Sequence, residues 1–156
     1  MDYKKYTSSR LAAVQATYMM EYGMPVDEIV NLFENGSLGG EALIEDEDCG
    51  FEEVVPLVKM DNKLFERIAR GTAFRFEELS NIVFSNLSRS WTKERIEKTV
   101  KAILLCGAYE LSYETETPVQ IIIDEYVGIT SSFYNNAEVG LVNAVLDKIA
   151  KTARDF

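Results

Sequence analysis

The chain has 156 residues, 47% of them hydrophobic, a formal net charge of −10 and no histidine. That length and apolar content suit one domain with a sizeable core, while nine Gly and three Pro are too few for the turns of an all-β protein. Without histidine the chain lacks the commonest general base, the usual catalytic triads and most zinc sites.

In chain order, Ser8 or Ser9 is placed to cap a first helix from about Arg10 to Tyr22, with Leu11, Val14, Tyr18 and Tyr22 as its buried stripe. Gly23 ends it. Pro25 starts a second helix, with Asp27 and Glu28 at its positive end and Ile29, Leu32 and Phe33 on its apolar face. Residues 36–50 read as a turn and an acidic loop, and residues 51–60 are ambiguous because Pro56 interrupts any simple helix. A helical pattern resumes at Asp61, and a boundary between Arg75 and Glu78 divides two helices. Thr92 is placed to cap a long helix from Lys93 to about Tyr113. Thr117-Pro118 marks another helix through Phe133, and Asn135-Asn136 opens the last, whose buried face is Leu141, Val142, Val145, Leu146, Ile149 and Ala150. The expected fold is therefore all-α, a bundle of about seven helices.

The charge is unevenly distributed. Residues 27–53 carry ten acids and no Lys or Arg, and the remainder is balanced. Within that remainder, Arg89, Lys93, Arg95, Lys98 and Lys101 form a basic stretch, and Lys4, Lys5 and Arg10 a second group. A local basic face can survive on an acidic protein when the acids lie elsewhere. The acidic run at residues 45–48 fails the alternating ligand pattern of an EF-hand, so no metal is expected. Cys49 and Cys106 have no metal or redox spacing, and Cys106 reads as a small core residue. No phosphate loop, nucleophile elbow or metalloprotease motif occurs, so neither catalysis nor a cofactor is expected. The purest apolar run, residues 119–123, is far too short for a membrane, and no signal peptide is evident, so the expected location is the cytoplasm.

Several blocks form a pattern when read together. Trp91-Thr92-Lys93-Glu94-Arg95 is followed by Ala102-Ile103-Leu104 and Ala108-Tyr109-Glu110-Leu111. Pro118, Ile123-Asp124-Glu125-Tyr126-Val127 and Phe133 come next, then residues 141–150 with Val142-Asn143-Ala144-Val145-Leu146-Asp147. In order and spacing these blocks resemble the NusB family of transcription antitermination factors, and residues 10–18 resemble that family's first helix. The match covers residues 10–22 and 89–151; residues 36–60 carry no motif.

The resemblance implies two helical halves and a non-enzymatic factor that binds single-stranded boxA-type RNA of ribosomal RNA leaders. It also implies a NusE-type small-subunit ribosomal protein as partner, within the transcription elongation complex, and allows a homodimer. Carried over by position, Lys4, Lys5, Arg10, Arg89 and Arg95 are the expected RNA-binding cations. Tyr18 is a matching aromatic, as is Trp91, and for both core packing competes with base stacking. Glu110, Asp124 and Glu125 are expected to meet the partner, while Asn143 and Asp147 match polar positions. The chain departs from the family pattern at Tyr6-Thr7-Ser8-Ser9, where an arginine run is usual. It also departs at Leu105 for Arg, Asp124 for Asn, Ser131 for Lys, Leu141 for Phe and Ala144 for Gly. Fewer cations mean weaker phosphate binding. Two alternatives follow: a helical protein-interaction module without RNA binding, and an accessory domain related to that of ribosomal RNA cytosine methyltransferases.

Overall fold

Ten consecutive buried residues, 102–111, run through one helix, and the other helices pack around it. The computed structural model describes residues 4–35, 41–46, 51–56 and 60–154. The helices are α1 (Lys4–Met20), α2 (Val26–Glu34), α3 (Asn62–Phe74), α4 (Phe76–Ser85), α5 (Lys98–Tyr113), α6 (Val119–Ser131) and α7 (Asn136–Ala153). Helices α1, α3, α4, α6 and α7 all contact α5, so a helix apolar on every side occupies the centre. Helix α2 packs on α1 and α3, and α7 packs on α6 and α4.

The seven helices follow the expected order, with four local differences. Helix α1 already runs from Lys4, so Ser9 is interior and caps nothing. Its hydroxyl instead donates to the Lys5 carbonyl (2.7 Å) and accepts from the Asp61 N–H (2.7 Å), tying α1 to the start of α3. Asp61 caps α3 through the Leu64 N–H (2.9 Å).

The buried face of α1 also differs. It consists of Ser9, Arg10, Ala12, Ala13, Val14, Ala16 and Thr17, whereas Leu11 and Tyr18 are half-buried and Tyr22 is exposed. Small side chains let α1 approach α3 and α5 closely, which turns its larger residues outward to the rim. The same economy of space recurs at Gly71, where an added Cβ would lie 2.1 Å from the Tyr109 ring. At the end of α1, Gly23 takes φ 92°, a conformation that L side chains rarely adopt.

Helix α5 starts at Lys98 rather than Lys93. Residues 93–95 make a single turn closed by the Arg95 N–H on the Thr92 carbonyl (3.0 Å), and Glu97 is extended (ψ 151°). Ile96 turns inward against the core between them.

Finally, β1 (Glu41–Asp46) and β2 (Phe51–Pro56) form an antiparallel hairpin, pairing Glu41 with Pro56 and Asp46 with Phe51; β1 lies in the expected loop and β2 in the stretch whose pattern is ambiguous. Val54-Val55 and Leu43-Ile44 have the strand preference that the acid content hides, and Pro56 sits at a strand end, where no interior ladder bond is lost. The helices carry the buried apolar core, and the architecture is all-α. Cys49 and the acids at 47 and 48 lie outside the described residues.

Candidate nucleic-acid interface

Helix α1 carries the most buried cation of the expected site and ends beside the exposed Tyr22 ring. Arg10 is 4% exposed. Its Nε donates to Glu110 Oε2 (2.7 Å) and its Nη2 to Glu110 Oε1 (3.0 Å), a two-bond fork across the α1–α5 contact. Its Nη1 donates to Glu125 Oε1 (3.0 Å) on α6, which also accepts from the Thr7 hydroxyl. Glu110 is fully buried and takes a third bond from the Tyr126 hydroxyl (2.5 Å). Burial opposes the Arg10 charge, but the Glu110 bonds and charge outweigh it and hold the guanidinium above its ordinary range. Burial, followed by the Glu110 charge, pushes the Tyr126 hydroxyl well above the usual tyrosine range.

This geometry places two of the expected site residues inside the protein. Arg10 has every guanidinium nitrogen bonded to a carboxylate inside the protein and is 4% exposed, so it offers almost no surface to an RNA phosphate. Glu110 has no surface for a partner. Both matched the family by position, but position in a sequence does not show which way a charged side chain points. Glu125 is mostly committed to the same network, whereas Asp124 points outward and accepts from Gln120 Nε2 (2.7 Å).

The remaining expected site residues lie at the surface in separate groups. Lys4 and Lys5 begin α1, and the Lys5 ammonium sits 5.1 Å from the Tyr6 ring centroid. At 1.5 Å per residue they are about 20 Å along the helix from Tyr18. Arg89 is exposed in the α4–α5 connection. Arg95 is exposed there too; it donates to the Ser90 carbonyl (2.6 Å) and stands 5.7 Å from the ring centroid of Trp91, which packs on the core. Asn143 is exposed on α7, and Asp147 pairs with Lys151 (3.1 Å).

Around Tyr18 the structure assembles a surface that the sequence reading did not single out. Leu11, Val14, Tyr18, Met19, Phe133 and Tyr134 line an apolar groove of about 450 Å³ between α1, the first turn of α5 and the α6–α7 junction. The Tyr18 and Tyr22 rings lie 5.2 Å apart with their hydroxyls bonded (3.1 Å), and that bond raises the Tyr18 pKa above its ordinary value. The Lys98 ammonium sits 4.4 Å from the Tyr22 ring centroid. Phe133 is 57% exposed and Tyr22 63%. The i, i+4 spacing of Tyr18 and Tyr22 was the available signal, but it reads equally as a core stripe. Phe133 reaches the groove, and Lys98 reaches the Tyr22 ring beside it, only through tertiary packing.

One aromatic pair, the exposed Phe133 ring, one cation and an apolar trough supply stacking surfaces and charge. Among the described residues, no cluster of acids and cysteine could hold a metal, and no helix is long and apolar enough to cross a membrane. The fold and this surface define the class as an all-helical macromolecule-binding domain.

The comparisons narrow that class. The model of the NusB family matches residues 7–151. The transcription antitermination protein NusB of Rhodospirillum rubrum is 40% identical over 155 residues, covering 95% of this chain and 84% of the relative. That of Caulobacter vibrioides is 37% identical, covering 94% and 93%. The chain belongs to the NusB family. Solved structures share the fold: NusB of T. maritima superposes with a TM-score of 0.69 at 22% identity, covering 96% of this chain and 93% of that one. A chain from a complex of antitermination factors NusB and NusE with dsRNA superposes at 0.68 and 15% identity, covering 94% and 96%.

Proposed function

We propose that this NusB-family chain is a non-catalytic transcription antitermination factor. It binds boxA-type single-stranded RNA of ribosomal RNA leaders together with a NusE-type ribosomal protein, in the cytoplasm and within the elongation complex. The observation that carries this reading is the groove lined by Tyr18 and Phe133, with the Tyr22 ring packed on Tyr18 and Lys98 beside Tyr22, set on a fold whose relatives are antitermination proteins. Single-stranded RNA is held by cations along its backbone and by aromatic faces under its bases. Lys98, with Arg89, Lys93 and Arg95 on the connection leading into α5, supplies the cations; Lys4 and Lys5 at the far end of α1 extend the track. Phe133 and the exposed Tyr22 ring offer stacking faces. The apolar floor of the same groove favours a protein partner beside the RNA, and Asp124 and the outer edge of Glu125 offer it polar contacts.

Binding of a boxA-like strand and a scrambled strand, with and without the partner and at several salt concentrations, tests the proposal. Selective binding that the partner strengthens and salt weakens is expected.

One observation favours a second reading, an interaction module without RNA binding. The one arginine of the first helix is consumed inside the protein, and the usual arginine run before it is replaced by Tyr6-Thr7-Ser8-Ser9. Partner binding without selective RNA binding in the same assay would establish that alternative.

A further inference from the structure

A second groove lies between the end of α1, the start of α2 and the elbow where α3 meets α4. Met20, Met24, Val26, Ala73 and Phe76 line about 420 Å³ of it. Methionines are pliable lining that accommodates varied apolar side chains. Beside it Phe74 is 84% exposed, more than any other large apolar side chain among the described residues.

The charges around this groove are mostly negative, and its cations are already engaged. Lys101 pairs with Glu21 (2.7 Å) and sits 5.0 Å from the Phe76 ring centroid. Arg70 is bonded to both Asp27 and Glu66. Arg75 lies 4.0 Å over the Tyr113 ring and 5.6 Å from the Phe74 ring centroid, and pairs with Glu78 (3.7 Å). Glu28 and Glu77 are exposed.

We infer that this groove docks a cationic, amphipathic segment of a protein partner, distinct from the Tyr18–Phe133 surface. Its apolar side chains occupy the Met20, Met24 and Phe76 trough and pack on the exposed Phe74 side chain, while its Lys or Arg groups lie against Glu77. RNA is disfavoured because phosphates would meet carboxylates whose cations are spent. A second copy of this chain would bring the same acidic face against itself.

The test titrates the full chain, followed residue by residue by NMR, with a short amphipathic peptide of Lys and Leu. A Glu and Leu peptide of the same pattern and an oligouridylate serve as comparisons. The Lys peptide should perturb Met20, Met24, Ala73, Phe74 and Phe76. The double variant Phe74→Ser/Glu77→Lys, both positions exposed, should weaken it by about five- to thirtyfold without changing the melting temperature. Equal binding of the Glu peptide would overturn the inference, as would perturbation centred on Tyr18 and Phe133 or oligouridylate shifts at Phe74. So would a concentration-dependent dimer abolished by Phe74→Ser, which would make the face a self-interface.

Discussion

Arg10 and Glu110 form a buried two-bond ion pair that joins the first helix to the central one, with Nε–Oε2 at 2.7 Å and Nη2–Oε1 at 3.0 Å. Removing one member leaves a charge buried without its partner. Arg10→Ala or Glu110→Ala should therefore cost about 3–5 kcal/mol in denaturant unfolding. The double variant Arg10→Met/Glu110→Met should recover most of that loss, because well-packed apolar residues often replace a buried pair at little cost. A double variant as unstable as the singles would show that the pair is not the cause. Loss of RNA binding in Arg10→Ala would then reflect unfolding, unless the variant is shown to be folded.

Arg154, just past the end of α7, should be a second structural arginine. Its guanidinium donates to the carbonyls of Leu111 (2.7 Å), Thr117 (2.9 Å), Glu114 (3.0 Å) and Glu110 (3.3 Å), satisfying the open end of α5 and the turn into α6. Arg154→Ala should lower stability by about 1–3 kcal/mol in urea unfolding. Arg154→Lys should rescue little of it, because one ammonium cannot reach four carbonyls as a planar fork does. Full rescue by lysine would contradict this geometry.

How far the sequence reveals this molecule depends on what each pattern encodes. Helices α2, α3 and α7 are legible because their buried residues, such as Ile29 and Phe33 or Val142 and Leu146, recur at helical spacing. The inner face of α1 is not, because alanines, Ser9 and Arg10 supply it while the large residues face the rim. The start of α5 was misplaced because residues 93–95 have helix-forming composition but close only one turn. The hairpin was missed because its strands lie in the acidic stretch. Tyr18 is legible as a candidate aromatic, but Phe133 joins it only across tertiary contacts, and Arg10 has the same letter whether it faces RNA or Glu110.

Cys106 gives a prediction for alkaline pH. Burial pushes its thiol up to about 12, from an ordinary value of 9.0. The folded state thus keeps a proton that the unfolded state releases. This contribution to stability is fully present below the unfolded value and is lost as pH rises from about 9 to about 12. The Cys106→Ala variant should start less stable but lose less stability across that window, by up to about 1.4 kcal/mol per pH unit. In a Cys49→Ser background, native Cys106 should also react with a thiol reagent far more slowly than the unfolded chain. Rapid native labelling would contradict its burial beside Thr17.

The central claim is that RNA meets this protein at the Tyr18–Lys98–Phe133 groove and not at Arg10. The most direct measurement is the dissociation constant of a boxA-like strand, with the NusE-type partner present, for the parent chain, Phe133→Ala, Lys98→Glu and Glu77→Lys across a salt series. Loss of a stacking face in Phe133→Ala should weaken binding by about 1–3 kcal/mol. Lys98→Glu should weaken it and make the salt slope shallower by about 0.7. Glu77→Lys, on the other groove, should not weaken it. Unchanged affinity and salt slope in folded Phe133→Ala and Lys98→Glu would contradict the account.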